Sequence, residues 1–342
     1  MTEFVATTPG LFPLPDWAKS DLSDLKGHQK GDLISGDESE AVADTYETAR
    51  SEVVDDQREA GLDRIVEGQL RWDDMIAHPL TVHDNVETGG IVRYYDNNNF
   101  YRDPRVVGDL TASGDVPAEL SEARDLLSED ETLQAVLPGP YSLADLATDE
   151  HYGDEREFLA AVGEFLGGEA AEFPAHETLF LLEPSLVTSP PDDDLAGAVP
   201  EAIDAVAGAT DADVVVHTYF GALSEKTYAH LLDADVSAVG LDVVAGDREQ
   251  TVYNASEYGV TDDVALGLAD GQNTLVESPE TIRERAAWFT DQVPATDFET
   301  VYLSTNTESF YLPVNKHQEK LAALAAAAGR DADADADAEV NA

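Results

Sequence analysis

A chain of 342 residues with 43% hydrophobic residues has material for a complete core and reads as globular rather than disordered. Its 71 acidic residues against 19 Lys and Arg give a formal charge of −52, which excludes nucleic acid and anionic membrane surfaces as partners. No apolar run approaches the roughly 20 residues that span a bilayer, and with no cysteine neither disulfides nor thiolate metal sites are available.

The acid is scattered along the whole chain rather than gathered in a block. That predicts a surface solvated in concentrated salt, where a Debye length of about 3 Å at molar strength screens the self-repulsion. Met1 to Gly10 lacks a basic region followed by an apolar stretch, so a cytoplasmic, halophilic protein is expected.

In chain order, a helical pattern over 38–60 is followed by a strand-like Arg64–Glu67 and an irregular, aromatic-rich 89–105. From there short apolar runs alternate with amphipathic segments. Strands are predicted at Leu133–Leu137, Leu179–Leu182, Asp213–Tyr219, Val236–Val239, Val264–Leu268 and Thr300–Leu303. Helices are predicted near 154–171, 195–208, 223–232, 278–292 and 314–327, the fourth opened by Ser278 as N-cap and Pro279 in the first turn. Strands that are apolar throughout indicate a parallel sheet buried on both faces. Repeated strand–helix units in one unit of this size predict an α/β fold, a (β/α)8 TIM-type barrel. The barrel is expected over 1–325, with 326–342, rich in Asp-Ala repeats, as a disordered acidic tail.

A barrel of this kind gathers the C-terminal ends of its strands at one mouth. Polar residues stand at most of those ends here: Gln69 with Asp73 and Asp74, Glu183, His217, Asp242, Asp270, and Asn306. Taken singly each is a turn former or helix cap. Taken together, Gln69, Asp74, Glu183, His217, Asp242, Asp270 and Asn306 are the candidate residues for binding a small-molecule substrate.

Ordered blocks over nearly the whole chain resemble the catalytic-type barrel of the cobalamin-independent methionine synthase family. They are TTPGLFP at Thr7–Pro13, GLDRIVEGQLRWDDMIAHP at Gly61–Pro79, LPGPYS at Leu137–Ser142 and LEPSL at Leu182–Leu186. Further on come VHTYFG at Val216–Gly221, LGLADGQNTLVESPETI at Leu266–Ile282 and VYLSTNTESFYLP at Val301–Pro313. The resemblance implies methyl transfer to homocysteine in methionine biosynthesis. It also implies a zinc ion held by His, Glu and two Cys that lowers the pKa of the substrate thiol. Carried over by position, His217 keeps the histidine ligand, but Tyr219 and Thr307 stand for the two cysteines. The acidic ligand falls near Gly240, with Asp242 two residues on. Leu11 stands for a serine, Gln69 for a glutamate holding the substrate amino group, Leu182 for an aspartate, and Leu146 roughly for a tryptophan on the pterin ring.

One histidine with neutral oxygens is short of the roughly four ligands zinc takes. The expectation is therefore no metal and no cofactor bound by this chain, with zinc on a partner chain, a methionine synthase homologue. The methyl donor would be folate-type or corrinoid-linked. Two alternatives remain open: a metal-free barrel enzyme using Asp242, Glu183, Asp270 and His217 as acid–base groups, and a non-catalytic module that binds the methyl donor.

Overall fold

The computed structural model describes residues 2–22, 38–72, 75–92 and 101–329. Eight strands form one all-parallel sheet: β1 (Glu3–Ala6), β2 (Ile65–Val66), β5 (Leu133–Pro138), β7 (Thr178–Leu182), β8 (Asp213–His217), β9 (Ala238–Asp242), β10 (Asp263–Ala269) and β11 (Thr300–Thr305). Their order is β1-β11-β10-β9-β8-β7-β5-β2. The predicted strand positions from Leu133 onward are confirmed, with one shift: the expected Val236–Val239 lies at Ala238–Asp242. Runs such as Leu179–Leu182 and Val214–Val216 are buried on both faces, as a sheet wrapped by helices requires.

The sheet curls on itself. Phe180 of β7 and Tyr302 of β11 lie four strands apart in sheet order, yet their rings meet edge to face at 6.2 Å. From β5, Gln134 reaches the segment after β1, accepting from the Thr7 hydroxyl at 2.6 Å and donating to the Thr8 carbonyl at 2.7 Å. Between β1 and β2 the strand ladder gives way to one residue, Asp63. Its N–H donates to Ala6 O (3.1 Å) and its carboxylate accepts the Ala6 N–H (2.8 Å). Short β2 cannot supply a longer ladder, so a side chain completes the circuit.

Helices follow each barrel strand, among them Glu40–Ala60, Glu155–Ala170, Val199–Ala207, Glu225–Leu231, Pro279–Gln292 and Val314–Ala327. The helices Asp115–Leu126, Pro140–Leu146 and Arg248–Tyr258 were not anticipated. The last helix lies at Val314–Ala327, as expected, and Arg330 to Ala342 of the expected tail lie outside the described residues.

The irregular reading of 89–105 is corrected in part. Two strands, β3 (Val86–Val92) and β4 (Tyr101–Val106), pair antiparallel, and β4 also pairs with β6 (Thr148–Asp149) in a second, three-stranded sheet. Charged and aromatic residues mask the alternation there, and Pro104 and two glycines interrupt it.

Candidate functional site

The ends of β8, β9, β10 and β11 carry a compact polar knot. His217 closes β8, in register with Gly240 of β9, and Asp242 closes β9 in register with Gly267 of β10. Asn306 follows β11. Its carbonyl is 2.9 Å from His217 Nε2, its amide nitrogen lies 3.2 Å from both Asp242 oxygens, and its Oδ1 accepts the Gly271 N–H at 2.9 Å. A carbonyl only accepts, so His217 carries its proton on Nε2. Complete burial pushes the imidazole down to about 4, leaving it neutral.

Asp242 also accepts the N–H groups of Val244 (2.9 Å), Ala245 (2.8 Å) and Phe220 (3.2 Å). Burial raises its pKa and these donors oppose the rise. His217, Asp242 and Asn306 are each at most 2% exposed.

The other candidates sit apart from this knot. Glu183, after β7, gives its backbone N–H to His217 O at 2.9 Å but turns its carboxylate to the β5 end. There it accepts Tyr141 N (2.9 Å), Ser142 N (2.7 Å) and Ser142 Oγ (2.6 Å), and burial pushes it up to about 7. A Cβ on Gly139 would fall 2.1 Å from that side chain, so the glycine is what admits the glutamate. Gln69 accepts the Leu11 N–H at 2.9 Å, joining the β1 and β2 ends. Asp270 is a turn former: its Oδ1 takes the Gln272 N–H at 3.0 Å. Asp73 and Asp74 lie outside the described residues.

Several residues of this face lie inside the quoted blocks but are not among the candidates. Glu67, buried beside Gln69, forms an ion pair with buried Arg50 at 2.7 Å. Glu308, just past Asn306, is pushed up to about 7 by burial, and its Oε2 has no hydrogen-bond partner among the described residues. Glu277 takes Lys320 at 2.7 Å and the Asp270 N–H at 3.0 Å. A buried charge reads as a surface charge in sequence until its partner is placed. Among the described residues three non-glycine residues also take left-handed backbone, Leu11 (φ 57°), Gln69 (φ 51°) and Phe220 (φ 71°), and each follows a barrel strand on this same face. Such residues cost on the order of 1–3 kcal/mol and persist where surroundings over-determine them.

The residues at the position of the implied zinc do not fit the ion. His217 Nε2 is committed to Asn306 O, while Nδ1 faces Gly240, where a Cβ would stand 2.4 Å away. Thr307 donates its hydroxyl to Glu308 O at 3.0 Å, and Tyr219 is buried with its ring 5.8 Å from that of His217. Among the described residues the one His/Asp/Glu group close enough to share an ion is His78, Asp115 and Glu119. It is already occupied by a guanidinium: Arg71 pairs with both carboxylates. Two cavities, of about 390 and 470 Å³, flank the barrel, the first against Tyr141, Asp145, Phe158 and Asp192, the second against Tyr46, Arg50, Arg71 and Glu122. Neither is lined by His217, Asp242 or Asn306.

Residues 81–287 match the family model described as "Cobalamin-independent synthase, N-terminal domain". The chain is 22% identical over 289 residues to "Methionine synthase" of Sulfolobus acidocaldarius, covering 83% of this chain and 80% of that relative. Over 195 residues it is 29% identical to the "5-methyltetrahydropteroyltriglutamate--homocysteine methyltransferase" of Salinibacter ruber, 55% of this chain and 25% of that protein. Its fold is similar to the structure of a B12-independent methionine synthase from Shewanella sp. W3-18-1 in complex with selenomethionine, with a TM-score of 0.74, 17% identity and 98% of each chain covered.

Proposed function

Because the chain belongs to the cobalamin-independent methionine synthase family, we propose that it takes part in methyl transfer to homocysteine in methionine biosynthesis, together with a separate zinc-bearing homologue. Similarity to methionine synthases over about four-fifths of the chain supports the pathway. The observation that carries the partner is the donor set: at the positions the resemblance assigns to the other ligands stand Gly240, Tyr219 and Thr307, and none of these supplies a thiolate or carboxylate. The activated thiolate must then be generated on another chain, and this barrel serves that chain as a donor-binding or docking subunit. A methylated folate-type or corrinoid-linked compound is the donor we expect.

Acid–base chemistry in this chain alone draws less support. His217, neutral and bonded through Nε2, Asp242, Glu183 and the turn-forming Asp270 all make their hydrogen bonds within the protein itself. No described helix is long and apolar enough to cross a membrane, and we place the protein in the cytoplasm with other biosynthetic enzymes. The test is methionine formation from homocysteine at molar KCl, using this chain, a zinc-bearing homologue from the same cell, and both together. Expected is no turnover by this chain and a higher rate for the pair than for the homologue alone. Equal rates with and without this chain, or turnover by this chain unaided, would sink the proposal.

A further inference from the structure

We infer that hydrogen bonds centred on Asn306 have taken over the cross-linking of the β8, β9 and β10 ends. The chain's own side chains then hold this barrel face together at the place where the resemblance implies an ion. All the polar groups of Asn306 are engaged, and together they reach three strand ends: its N–H goes to Ala269 O of β10 at 2.8 Å and its Oδ1 to the Gly271 N–H in the β10 loop, its carbonyl to His217 of β8, and its amide NH2 to Asp242 of β9. Asp242 carries the tie onward to three backbone N–H groups in the loops after β8 and β9.

Two glycines make this packing feasible. A Cβ on Gly267 would stand 2.4 Å from Asn306 Cα and 2.8 Å from its Cβ, and a Cβ on Gly240 would stand 2.4 Å from His217 Nδ1. Those distances leave no room for any side chain at either place. The His217 ring therefore lies in the space that an acidic residue at 240 would need. An acidic metal ligand at 240 and a histidine in this orientation exclude each other. In this orientation the proton-bearing nitrogen of His217 is received by Asn306 O. Thr305 and Thr307 complete the closure locally, since the Thr305 hydroxyl donates to Thr307 O at 2.8 Å and Thr307 to Glu308 O at 3.0 Å. The inference does not depend on the methyl-transfer reading, because it concerns how the face is held and not what the pair of chains does.

The experiment uses the full chain at molar KCl and makes two measurements. The first is zinc retained after incubation with excess zinc and desalting, with melting temperature read with and without a chelator. No retained zinc and an unmoved melting temperature are expected. Stoichiometric zinc that disappears in His217→Ala would overturn the inference. The second is amide hydrogen exchange at Gly271 and Phe220. Asn306→Ala should speed exchange at Gly271 by about tenfold or more, since its partner is a buried hydrogen bond, while Asn315→Ala on the last helix leaves it unchanged. Unchanged exchange in Asn306→Ala would overturn the inference. Should that variant fail to fold, the exchanged pair decides. Asn306→Asp places two carboxylates together and should lower the melting temperature, and adding Asp242→Asn restores a donor–acceptor pair and should recover most of the loss. No recovery counts against the tie.

Discussion

At the scale of single residues, Glu183 shows how burial and hydrogen bonding divide one carboxyl group. Three donors from the β5 turn satisfy its oxygens, yet complete burial outweighs them and lifts it to about 7. Glutamine at 183 keeps the size but brings an NH2 against an N–H or hydroxyl donor. Glu183→Gln should therefore cost about 1–3 kcal/mol in urea unfolding at pH 8. The sign of the wider pH effect follows from the same group together with Glu119 and Glu308, each pushed up to about 7. Their folded values exceed the unfolded one, so the stability they contribute is complete below about pH 4.5 and is lost as pH rises through about 7. The urea midpoint at fixed molar KCl should be higher at pH 5 than at pH 8, and Glu308→Gln should flatten part of that slope. A wild-type midpoint that rises from pH 5 to pH 8 would contradict the assignment.

Among elements, the last helix, Val314–Ala327, does more than cover the sheet. Lys320, 1% exposed, leaves its inner face and binds both Leu275 O (2.6 Å) and the Glu277 carboxylate (2.7 Å). Arg285 stands on the other side of Glu277 at 3.5 Å. The loop between β10 and its helix is thereby anchored from two neighbouring helices. Methionine at 320 fills the same space but leaves Glu277 buried with only the longer contact and one backbone donor. Lys320→Met should lower stability by about 3–5 kcal/mol, read as a drop in urea midpoint with an unchanged m-value. Periodicity identified this helix from Val314 onward, since its apolar residues recur at helical spacing. The role of Lys320 was hidden, because a lysine in a helix reads as solvated until the loop beneath it is placed. The same limit explains Asp242 and Asp270, two strand-end aspartates alike in sequence. One gathers four donor groups from two loops and Asn306, and the other only shapes its own turn.

Across the whole molecule, the charge of −52 acts on a core whose strands are as apolar as those of an ordinary barrel. Exposed carboxylates repel one another over a distance that shrinks from roughly 10 Å at 0.1 M salt to about 3 Å at 1 M. The melting temperature should rise steeply between dilute buffer and molar KCl, and a flat profile would remove the halophilic reading.

From the sequence alone came the things written in local pattern or composition. These are the parallel α/β barrel, whose buried strands must be apolar on both faces, the family to which the ordered blocks point, and the missing sulfur ligands. Tertiary structure alone decided which polar residues meet. The bridging of β1 to β2 through Asp63 and the pairing of buried Glu67 with Arg50 and of buried Glu277 with Lys320 depend on partners brought up by the fold. The knot of His217, Asp242 and Asn306 is of the same kind, since it forms only where strand register sets two glycines beside two polar side chains. Hydrophobic periodicity is a property of neighbours along the chain, whereas a hydrogen bond between residues 64 or 89 positions apart is a property of the closed fold.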